Sequence, residues 1–251
     1  MPAKKTARKR AAATAGMTCA EVMKKLKALG NAQTRTIYRR HGAPDSLFGV
    51  KIGDMKPLAK RIRKDHEMAL ELFATENPDA QYFAGMIADD PMMKKTDLNK
   101  WARTASWSMV STCTVAWVAA ESGKGLDVSL KWIDATAEKV RTSGWSTLSA
   151  YLSMTPDEEI DFSLFKKLIT RVARGIHEAP NREKDSMNSF LIAAGCFCVP
   201  LMEPALKAAA KIGKVEVDVG ETNCKVPDAT EYIRKVEKMG RIGKKKKTAK
   251  C

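Results

Sequence analysis

The chain is written almost throughout in the period of the α-helix. Apolar residues recur three and four positions apart, each run opens on a capping residue, and nearly every run closes on Gly, Asp or Pro. Thr18 with Glu21 spells a capping box, and Gly30 closes the run ending at Leu29. Helices are then predicted over 31–40, stopping near Gly42, from Asp54 through Leu58 and Ile62, and from His66 to Thr75. Asn77 and Pro78 open another that ends by Asp89-Asp90, and Thr96 caps a short one through Trp101. Further helices are read over 106–121, 126–141 and 145–154, and from Thr155-Pro156 through Val172. The series ends with 181–198, 201–212 and a last helix capped by Asp228. Only Lys214–Glu221 alternates with a period of two, and without a partner strand it reads as an extended loop. Twelve or thirteen helices joined by short connections exceed a four-helix bundle. They predict an all-α solenoid of stacked helical pairs, one domain over 18–240. Pro-Asp pairs spaced 34, 78 and 71 residues apart fit one, two and two such units.

Charge narrows the function classes. Of a net +15, five positive charges lie in residues 1–17 and six in 241–251, neither segment holding an acid. Both segments read as disordered basic tails, and a polyanion, above all nucleic acid, is the partner such tails fit. A solubilising or localising tail without a specific target is the alternative. No apolar run reaches the length of a membrane span, and no apolar stretch follows the basic N-terminus as in a secretory signal. The scattered cysteines do not read as a disulfide framework. The expectation is an intracellular, cytoplasmic monomer, associated with the nucleoid in a bacterium.

Metal and cofactor chemistry find little support. His41, His66 and His177 are far apart, and Cys196 and Cys198, two apart on a helix, point to different faces. No phosphate loop, nucleophile elbow or zinc motif is present. The informative residues are aromatic and basic. Trp107 opens a helix among Ser106, Ser108 and Ser111, where an indole could meet a sugar–phosphate chain or could simply be core. Arg39 and Arg40 end one helix. Lys60, Arg63 and Lys64 share one helical face, and Lys167, Arg171 and Arg174 share another. Such faces are often merely solvated. Along a concave solenoid they would neutralise phosphates.

Several segments together resemble the HEAT-like-repeat DNA alkylation repair proteins. Ile37-Tyr38-Arg39-Arg40 is followed by Phe48-Gly49-Val50-Lys51 and Met55-Lys56-Pro57-Leu58-Ala59-Lys60. Asp89-Asp90 and Ala105-Ser106-Trp107-Ser108-Met109-Val110-Ser111 come next, in the family's order, and the resemblance covers about residues 20–212. It implies a helical superhelix whose basic concave face wraps double-stranded DNA. The family's active members are glycosylases that release N3- and N7-alkylated purines without flipping the base into a pocket. It also implies DNA contacts at Tyr38, Trp107 and an aromatic near Phe190. Trp107 matches the family aromatic, but the residue four places on, a carboxylate in active members, is here Ser111. A hydroxyl stabilises developing positive charge on a deoxyribose far less than a carboxylate does. A basic residue expected within 145–151 is also missing. The resemblance therefore points to binding of alkylated or branched duplex DNA more strongly than to excision. A glycosylase with a relocated carboxylate, at Asp89 or Asp90, and a protein-binding solenoid are the alternatives.

Overall fold

The computed structural model describes residues 16–250. The basic segment expected over 1–17 thus lies, but for Gly16 and Met17, outside the described residues. Thirteen α-helices are present among the described residues. They are α1 (Cys19–Leu29), α2 (Ala32–Arg40), α3 (Ile52–Ile62), α4 (His66–Ala74), α5 (Pro78–Ile87) and α6 (Lys95–Thr104). A π-helical stretch, Val110–Val115, runs directly into α7 (Ala116–Glu121). Then come α8 (Gly125–Trp132), α9 (Glu138–Met154), α10 (Phe162–Gly175), α11 (Asn181–Phe197), α12 (Met202–Ile212) and α13 (Ala229–Lys238). No helix among the described residues is long and apolar enough to cross a membrane.

The caps explain most boundaries. The Thr18–Glu21 box closes in both directions. Asn31, Asp65, Asn77, Asp161 and Asp228 each accept a backbone N–H of the first turn of their helix. Two expectations shift. The predicted helices 126–141 and 145–154 are instead α8 and a seventeen-residue α9, with the break at 133–137. Gly144 is a contact, not a stop: a Cβ there would lie 2.9 Å from Ile133 Cγ2 and 3.0 Å from Trp132 Cβ. The glycine lets α9 close on the end of α8. The helix read from Thr155-Pro156 begins instead at Phe162, because Asp161 supplies the stronger cap.

Packing is between neighbours, as in a solenoid. α4 pairs with α5, α9 with α11 and α8, and α11 with α12 and α13. The core forms two clusters, one running from Val22 to Val140 and one from Ile133 to Ile233. α9 joins them, giving Val140 to the first and Trp145, Leu148 and Leu152 to the second.

The Lys-rich end departs from the expected disordered tail. Residues 243–250 cross the C-terminal ends of α11, α9, α7 and α5 in turn. Gly243 N–H donates to Cys196 O (2.9 Å) and Lys246 N–H to Ser153 O (2.7 Å). Lys245 Nζ donates to Leu152 O (3.0 Å) and pairs with Asp157 (2.8 Å). Ala249 N–H reaches Glu121 (2.8 Å), and Lys250 Nζ grips both oxygens of Asp90 at 2.6 and 2.7 Å. Helix C-termini carry unpaired carbonyls and partial negative charge, so ammonium groups and N–H donors settle there.

Candidate nucleic-acid interface

If the tail marks where these helices end, the opposite edge is where they begin. In the first turn of α5, Asp79 accepts the N–H groups of Phe48, Gly49 and Val50 at 2.6, 3.1 and 2.9 Å. That pins the loop after α2. Gly49 sits at φ +80°, and a Cβ would strike Asn31 O at 2.8 Å, which explains the Phe48-Gly49-Val50 signature. Tyr38 Oη donates to Val50 O (3.4 Å), and its ring lies 5.4 Å from that of Trp107. Burial, helped by the charge of Asp79, raises the Tyr38 hydroxyl above its ordinary pKa.

The structure thus joins Tyr38 and Trp107, though not as free stacking platforms. Trp107 is only 8% exposed, and its Nε1–H donates to His41 O (3.0 Å). The indole is a wall. One edge of it borders a cavity of about 190 Å³, shared with Ser106, Ser108, Ser111, Thr142 and the first turns of α9 and α11. Ser111 and Thr142 are each 1% exposed, and neither hydroxyl has a hydrogen-bond partner. Lys139 and Arg182 bring cations to the cavity, and Glu138 brings one carboxylate. Glu138 Oε1 accepts the N–H of Arg182 (2.7 Å).

An open groove of about 570 Å³ continues from Arg182 to Arg39 and Arg40. Its far bank is the extended loop 213–228. There Asn181 and Asp218 exchange two hydrogen bonds (2.8 and 2.7 Å). Gly220, at φ +77°, lies so near the end of α2 that a Cβ would sit 2.1 Å from Arg40 O. The loop therefore reaches from the end of α12 back to the end of α2 and bounds the groove. Arg39 also pairs with Asp45 (2.7 Å), an exposed contact of little strength.

Other predicted residues lie elsewhere. Lys60, Arg63 and Lys64 stand at the C-terminal end of α3, a helix about 16 Å long whose N-terminal end meets Tyr38. Lys64 is committed to Ala88 O (2.5 Å) and Asp90 (3.1 Å). Asp90, 5% exposed and held by Lys64 and Lys250, is an ion-paired carboxylate at the end of α5 remote from the cavity; Asp89 adjoins it. Neither meets Trp107. Phe190 is fully buried between Trp145 and Phe165, core and not interface. Arg171 binds Asp134 (2.6 Å) and Ile133 O (2.8 Å) and lies over Trp145, so it caps the end of α8. Lys167 and Arg174 stay exposed on α10.

Lys139, Thr142 and Arg182 escaped the sequence reading because Lys139 and Thr142 fell at the end of a mis-set helix. A signal existed. A cation in a helix's first turn opposes the macrodipole, and both Lys139 and Arg182 are placed so.

A family model described as DNA alkylation repair enzyme matches residues 22–233. The chain belongs to this family. Two similar proteins are uncharacterized: Lin0241 of Listeria innocua and Lmo0209 of Listeria monocytogenes. Each is 36% identical over 217 residues, covering 84% of this chain and 93% of its own. A solved structure matches with a TM-score of 0.86 and 38% identity, over 94% of this chain and all of that one. It is described as from a new family of proteins related to the HEAT-like repeat DNA glycosylases, with affinity for branched DNA structures. The HEAT-like solenoid expected from the sequence is the fold of this chain.

Proposed function

We propose that this protein binds DNA along the groove of Arg39, Arg40 and Arg182, acts in the response to alkylation damage, and favours branched over plain duplex DNA. The observation that carries the reading is the convergence of three arginines and the first turns of α9 and α11 on one groove, bounded by loop 213–228. The affinity of its structural relative for branched DNA supports the preference. Ser111 lacks the charge that would stabilise an oxocarbenium-like sugar, so the geometry favours binding without base release.

The test is binding to a four-way junction and to its component duplex across a salt series, with release of methylated purines measured on the same DNA after alkylation. Junction binding without release is expected. Replacing Arg39, Arg40 and Arg182 with Ala should lower affinity and flatten the salt slope by about 0.9 for each phosphate no longer neutralised. Equal binding by the triple variant would refute the groove assignment.

A second reading, base excision, rests on Glu138, the carboxylate that borders the same cavity. Purine release that disappears in Glu138→Gln, with DNA binding retained, would establish it.

A further inference from the structure

We propose that the cavity beside Trp107 is a phosphate-binding subsite, which in the bound complex receives one phosphate of a DNA strand. The identity of the strand rests on the DNA-binding reading above; the anion chemistry does not.

Hydroxyls on the helices of this protein habitually turn back to their own backbone. Thr36, Thr104, Ser143, Thr147, Ser149 and Thr170 each donate to the carbonyl four residues earlier, at 2.7–3.0 Å. Ser111 and Thr142 do not, although both are 99% buried and helical. They come from two helices and border one cavity. Two unpaired buried hydroxyls at one spot are costly unless something occupies it. The Ser111 side begins on the π-helical stretch, a backbone form that often accompanies function.

The surroundings select an anion. The cavity opens between the starts of three helical runs, those of Ser108, Glu138 and Asn181. Helix starts carry free N–H groups and partial positive charge. Lys139 and Arg182 add two cations against Glu138, whose Oε1 is already occupied by the Arg182 N–H. Lys139 Nζ is now spent on Ala105 O (3.2 Å), a contact it can give up for a stronger acceptor. A volume of about 190 Å³ holds a phosphate with a few waters, each taking about 30 Å³. The serine at position 111 thus has a positive meaning. A carboxylate there would repel a phosphate; a hydroxyl can donate to it.

Backbone NMR with inorganic phosphate as probe tests the subsite directly. Saturable shifts are expected at Ser108–Ser111, Glu138–Thr142 and Asn181–Glu183, and they should vanish in Ser111→Asp. The second arm walks a single neutral methylphosphonate across the junction. One position should lower wild-type affinity about tenfold and leave Ser111→Asp unaffected. Phosphate shifts without a sensitive position would locate a free-phosphate site and refute the DNA assignment. Absence of phosphate shifts, with DNA affinity equal in wild type and Ser111→Asp, would overturn the proposal. Should Ser111→Asp not fold, Thr142→Val replaces it, with at least a threefold loss of phosphate affinity expected. Failure of the wild type to bind any DNA would sink the function proposed above, while the phosphate titration would still decide this subsite.

Discussion

At the scale of single residues, the contrast lies between side chains held for the fold and side chains left available. Trp107 belongs to the first kind. Its ring packs on Tyr38 and its N–H is satisfied, so Trp107→Ala should cost about 3–5 kcal/mol in urea denaturation. Ser111 and Thr142 belong to the second kind. Ser111→Ala or Thr142→Val removes an unpaired buried hydroxyl and should leave stability unchanged or raise it by about 1 kcal/mol. A drop of about 2 kcal/mol or more in thermal melts would mean these hydroxyls have partners in solution. The cysteines divide similarly. Burial pushes Cys196 and Cys198 up to about 11, while Cys224 is exposed. At pH 8 the buried pair is then about one part in a thousand thiolate. A thiol reagent should modify Cys224 quickly and reach Cys196 and Cys198 only on unfolding or as pH rises toward 11. Fast labelling of either at pH 8 would show that the helix ends beneath the tail open readily.

At the scale of elements, close approach and capping set the register. Gly144→Ala forces a methyl into Ile133 and Trp132, and about 1–3 kcal/mol of destabilisation is expected in denaturant titrations. Asn77 caps α5 and also donates to Ser46 O (2.5 Å), tying the helix to the loop that Asp79 pins. Asn77→Ala should cost about 1–2 kcal/mol, and loosening of residues 46–50 should show as faster amide exchange. Most caps were legible in the sequence, since a cap and its N–H lie within three residues. The break at 133–137 was not. A glycine that stops a helix and one that admits a neighbour look the same until the neighbour is in place.

At the scale of the whole molecule, α5, α7, α9 and α11 run from the groove to the tail. The body works as a set of aligned dipoles with basic groups at both ends. At the tail end the cations neutralise carbonyls. At the groove end, cations and helix starts reinforce one another and await an anion. Deleting residues 243–251 should cost about 2–3 kcal/mol, a drop of roughly 5–10 °C in melting temperature. It should change the salt slope of DNA binding by fewer units than the five lysines removed, because Lys245 and Lys250 are already paired. A slope change matching all five, with stability intact, would mean the tail leaves the body to bind DNA.

The sequence by itself determined the helical class, the order and caps of the helices, the excess of positive charge and the family. Each depends on residue type or on neighbours within one or two turns. Only the tertiary structure decided which charges are free. Arg40 and Arg182 stand 142 residues apart in the chain yet line one groove. Lys64, Asp90 and Lys250 meet at the other edge, which removes two expected binding or catalytic residues from the site. Ser111 and Thr142 gain their meaning only when the π-helical stretch and α9 come side by side. Local pattern specifies elements because its energies act within a turn. A site assembled from four elements depends on how those elements pack, and no short-range signal carries that.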